Sequence, residues 1–89
     1  MNKNRRKELS DWIAMSEKWV AQGEELRSKL ENIGSDEEEY FDNMPENLQG
    51  SQRGIDAEEA IEAINEAIEC MNNAIEAAEE AASCVEEII

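Results

Sequence analysis

The chain has no histidine, one proline, four glycines and four aromatic residues, and from Gly54 to Ile89 it has no lysine or arginine. Each shortage removes something. Without histidine there is no His-ligated zinc site, no Ser/His/Asp or Cys/His set, and no Glu-x-x-His pair of the kind that builds di-iron centres in helical bundles. The two cysteines, Cys70 and Cys84, stand fourteen residues apart on what reads as one helix. That is about 21 Å along the axis, beyond disulfide reach. They are expected as reduced thiols serving as small apolar fillers, with a crossed bond between two copies left open. No glycine loop is arranged to cradle phosphate. No apolar run approaches membrane-span length and none follows the basic Met1–Lys7 start, so neither a span nor a secretory leader is expected.

The missing bases leave a formal charge of −15, from 23 acidic against 8 basic residues. Such a chain is not expected to bind nucleic acid directly, which takes clustered Lys and Arg, nor to dock on an anionic membrane. Its field attracts a positive partner. With 89 residues there is room for one small domain.

What is present is heptad periodicity, twice. From about Asn4 to Ile33, Trp12, Trp19, Leu26 and Ile33 recur every seven residues beside the row Leu9, Ser16, Gly23 and Leu30, and Ile13 and Val20 widen the stripe. Large-to-small packing is expected here, with Trp12 and Trp19 filling the room that Ser16 and Gly23 leave; exposed tryptophans for binding are the alternative. From about Asp56 to Ile89 the row Ile61, Ile68, Ile75, Ala82 and Ile89 runs beside Ala57, Ile64, Met71, Ala78 and Val85. Two further rows, Ala60/Ala67/Ala74/Ala81 and Ala63/Cys70/Ala77/Cys84, extend the apolar arc to half the circumference. That is wider than one coiled-coil seam requires.

Between the helices, Gly34 reads as a C-cap. Ser35 with Glu38 reads as a capping box opening a short helix to about Asn43, which Pro45 ends. Gly50 and Gly54 read as breakers, and Asp56 with Glu59 as a second capping box. The expected fold is all-α: a long antiparallel hairpin with helices at about 4–33 and 56–89 and a structured connection over 35–54. Trp12, Trp19, Ile61, Ile64, Ile68, Met71 and Ile75 are expected in the core or at an oligomer contact. Two Ala-rich helices bury little by themselves, so a homodimer forming a four-helix bundle is expected.

The polar back of the last helix carries Glu58, Glu62, Glu66, Glu69, Glu76 and Glu80. A solvated face keeps an Ala-rich helix soluble, yet solubility alone does not account for the lack of any base over 36 residues. Glu58/Glu62, Glu62/Glu66 and Glu76/Glu80 each set like charges at i,i+4, which costs a few tenths of a kcal/mol against a Glu/Lys pair. The connection adds Asp36, Glu37, Glu38, Glu39 and Asp42 around Tyr40 and Phe41. This cluster lacks the spacing and central glycine of an EF-hand loop. It reads either as a cap over the end of the hairpin or as an aromatic anchor ringed by acids for a basic pocket. No catalytic, cofactor or metal site is expected.

The stretch Glu38–Gly54 has an acidic-aromatic start, then Asn43-Met44-Pro45-Glu46-Asn47-Leu48-Gln49-Gly50-Ser51 and Arg53-Gly54, and leads into the acidic Ala/Ile helix. In this pattern, which covers the C-terminal half, the chain resembles a family of small acidic proteins carried by phages and Gram-positive mobile elements. The resemblance implies no particular activity. It implies an accessory protein acting in the host cytoplasm and, by analogy, an inhibitor of host nucleic-acid enzymes. The expected function is a non-enzymatic, DNA-mimic-like inhibitor of a nuclease, restriction or CRISPR protein. The alternative is a structural oligomerisation module whose acidity serves only solubility. Capture of a small molecule by Trp12, Trp19 and the connection is a third class, one the net charge disfavours for anions.

Overall fold

The computed structural model describes residues 1–89. It is an all-α rod of 69 × 15 × 14 Å. Its elements are α1 (Lys3–Asp42), a single turn α2 (Glu46–Gln49) and α3 (Gln52–Glu86). α1 and α3 pack along their length, and contacts at rising α1 numbers meet falling α3 numbers: Gly23 lies on Ile75 and Gly34 on Ile64. The hairpin is therefore antiparallel, as the short connection between α1 and α3 requires.

The seam is narrower than the apolar stripe in the sequence. On α1 it runs through Leu9, Ile13, Ser16, Val20, Gly23, Arg27, Leu30, Gly34, Glu37 and Phe41, all buried or half-buried. On α3 it follows the two Ile/Ala rows, with Ala57 and Ile75 buried and Ile61, Ile64, Ile68 and Met71 half-buried. Trp12 and Trp19 do not fill the room at Ser16 and Gly23. Ile75 takes the space beside Gly23, where a Cβ would stand 3.2 Å from Ile75 Cγ1. The two indoles flank the seam, 40% and 48% exposed.

Several boundaries differ from expectation, each for a physical reason. α1 runs through Gly34 instead of ending there, and no glycine has a positive φ. Gly34 allows close approach: a Cβ would meet Ile64 Cγ2 at 3.1 Å. Ser35 and Glu38 thus lie inside α1, which extends to Asp42 and is stopped by Pro45, the N-cap of α2. Asp56 is likewise interior, because α3 starts at Gln52 after the N-cap Ser51; Asp56 accepts from Gln52 Nε2 at 2.8 Å.

The connection is an ordered corner. Met44 is buried, and Pro45 O accepts from the N–H groups of Leu48 and Gln49. Gln49 Nε2 donates to the carbonyls of Phe41 (3.2 Å) and Met44 (3.3 Å), fastening α2 to the end of α1. The Ser51 hydroxyl donates back to Leu48 O. Gly54 is no breaker: it lies in the first turn of α3, where an added Cβ would collide with Gln49 O. The residues that make NMPENLQGS-x-RG distinctive are thus those that close this corner.

Two glycines in the same corner should respond oppositely. Gly54→Ala should destabilise the protein by about 2 kcal/mol or more, because the atom it strikes is backbone. Gly50 has helical angles and open space around its Cβ position, so Gly50→Ala should be neutral or stabilising by up to about 1 kcal/mol. Urea unfolding followed by circular dichroism checks both; equal effects would contradict the corner geometry.

Candidate functional site

Rows flanking a seam fall on its two sides. On one side, Arg27 reaches from α1 across the seam to Asn72 on α3, Nη1 to Oδ1 at 2.8 Å, and pairs with Glu31, Nε to Oε1 at 3.6 Å. This polar flank holds the only ion pair in the molecule. The row Trp12, Trp19, Leu26, Ile33 and Tyr40 lies on the opposite flank, beside the half-buried Ala60, Ala67 and Ala74 of α3. All five side chains of that α1 row are 40% exposed or more. Met15, between the two tryptophans, is 69% exposed. At this end Trp12, Met15, Ser16, Trp19 and Ala78 line an open apolar notch.

Cys70 and Cys84 are exposed, as are Ala63 and Ala77 in the same row. In one hairpin they fill no packed space, contrary to the sequence expectation. The α3 flank is thus a continuous track of small side chains running beside a ridge of large ones on α1.

Glu58, Glu62, Glu66, Glu69, Glu76 and Glu80 all lie exposed on the outer side of α3. Asp36, Glu38, Glu39 and Asp42 are exposed and Glu37 is half-buried, on the last turns of α1 and not in a loop. The register that sets Gly34 on Ile64 brings them level with Glu58 and Glu62. Ten carboxylates from Asp36 to Glu62, with Arg53 as the one base among them, gather at the closed end of the rod. Along α3 that end is only about 16 Å long. Tyr40 and Phe41 part company: Tyr40 belongs to the exposed ridge, whereas Phe41 turns into the seam.

No three carboxylates or thiols converge closely enough to hold a metal ion. Helix ends do not account for the charges either. α1 has no acid in its first turn and no base in its last, and α3 ends without a base. Lys3, Arg5 and Arg6 open α1 and Glu86 closes α3, each the sign that a helix end disfavours, at about 0.3–1 kcal/mol each. Sequence reasoning missed Met15 and the membership of Tyr40 in the ridge. Spacing carried both signals: Met15 sits i+3 from Trp12, and Tyr40 is i+7 from Ile33.

With the carboxylates almost unpaired, added salt should stabilise the fold by screening their repulsion. Raising NaCl from about 20 to 500 mM shortens the Debye length from about 20 to about 4 Å and should raise Tm by about 5 °C. A flat or falling Tm would mean that the acids are compensated. No family model, curated protein or solved structure matches this chain.

Proposed function

We propose that the chain is a non-enzymatic binding protein whose carboxylates occupy a basic, nucleic-acid-binding groove on a nuclease, restriction or CRISPR effector of a bacterial host, acting in the cytoplasm and as a dimer. The observation that carries this reading is the unpaired acidity: 23 acidic residues and a single ion pair. Charge placed for helix stability would be mixed in sign and matched to the helix ends. Here it is neither. Eleven acids along α3 and its end give one charge per about 5 Å, against one per about 3.4 Å on a DNA strand. The denser cluster at the closed end favours that end as the leading contact, with Asp36–Asp42 and Glu58–Glu62 acting together.

A second reading, an oligomerisation module, is favoured by the exposed ridge of Trp12, Trp19, Leu26 and Ile33. The two readings use different faces, so substitutions separate them. Glu58→Lys, Glu59→Lys and Glu62→Lys together should abolish capture of the basic partner while leaving helicity and assembly intact. Captured protein should elute between about 50 and 500 mM NaCl, as charge-steered contacts do, and duplex DNA should displace it. Undiminished capture by the triple variant, or capture indifferent to salt, would sink the mimicry reading.

A further inference from the structure

The solitary hairpin leaves too much surface bare. Its accessible area is 6762 Å², whereas a compact 10.1 kDa monomer exposes about 5,300 Å². Only Met44, Ala57 and Ile75 are buried apolar residues. The excess, about 1,500 Å² per chain, gives about 3,000 Å² for a pair, inside the 2,000–5,000 Å² of obligate homodimers. What could cover it is constrained by shape and charge.

We infer that the ridge of one chain packs into the small-residue track on α3 of a second copy, the two hairpins related by a two-fold axis along the rod with their closed ends together. Three observations select this arrangement. First, the ridge is large (Trp12, Trp19, Leu26, Ile33) and the track is small (Ala67, Cys70, Ala74, Ala77, Ala81, Cys84), so ridge on ridge leaves the tracks unfilled. Second, the two rows of the track repeat at alternating three- and four-residue steps, a second seam one row over from the first. Third, α1 through Glu31 carries seven bases against six acids, whereas the chain from Gly54 onward carries eleven acids and no base. A perpendicular two-fold axis would stack α3 on α3 and face like charge with like. The axis along the rod places each acidic α3 beside two copies of α1, whose charge is nearly balanced through Glu31; like charge meets only at the closed end, where Glu38, Glu39 and Asp42 of both chains are exposed to solvent. The outer carboxylates stay in solvent, so this assembly does not depend on the mimicry reading. It fails or stands on its own measurement.

In this bundle the register of the hairpin repeats between chains, which sets Met15 level with the partner's Cys84. Within one chain the two positions lie on opposite shoulders of the face, separated by more than the helix spacing of about 8–10 Å and out of disulfide reach. In a Cys70→Ser background, Met15→Cys should therefore give a covalent dimer under copper–phenanthroline oxidation. Cys70→Ser alone should give none, because the two Cys84 residues lie on diagonally opposed helices. Sedimentation equilibrium should return a dimer mass for the wild type. Ala77→Glu should weaken dimerisation by about 100-fold or more, through an unpaired carboxylate in the seam, whereas Ser83→Glu on the outer face should leave it unchanged. A wild-type monomer mass, absence of the cross-link, or equal effects of Ala77→Glu and Ser83→Glu would overturn the assignment.

Discussion

Everything in this molecule follows from how Ile75 and Ile64 seat on Gly23 and Gly34. At those two levels α1 offers no side chain, so α3 comes close and the register of the hairpin is fixed. That register aligns the last turns of α1 with the start of α3 and gathers the carboxylates at the closed end. It also turns the Arg27–Asn72 contact to one flank and the tryptophans to the other. Moving the pairing by a turn would separate the acidic clusters and break the continuity of the apolar flank.

The helices were legible because heptad spacing is a strong signal over 30 residues or so. Their ends were less so. A glycine after an apolar run serves either to leave the helix with positive φ or to let another helix approach, and the sequence is the same in both cases. Gly34 proved to be the second kind, and Gly54, which follows a polar stretch, makes room for the backbone of Gln49. The corner is closed by Gln49 and Met44, whose roles depend on carbonyls that only the folded chain presents.

The seam was half legible. Hydrophobic pattern finds an apolar arc but does not say which part of it is used within the chain. On α1 the row through Trp12 and Trp19 is the greasier one, and the true seam row is interrupted by Arg27 and Gly34. Packing chose the less apolar row because its small members admit α3. Of the wide arc on α3 the hairpin uses only part, and Ala63, Cys70, Ala77 and Cys84 are left exposed. Acidic residues were legible by sign and number, but their convergence needed the register. One rod thus presents two different surfaces: an apolar flank on one side of the seam, and an outer face of exposed carboxylates.

The most direct test of this account is a pulsed electron–electron distance between two copies. With Cys70→Ser and Cys84→Ser and a spin label on Gly50→Cys, closed ends that lie together give one distance below about 30 Å, as helix axes about 10 Å apart require. A distance near the 69 Å length of the rod, or no coupling between copies, would contradict it.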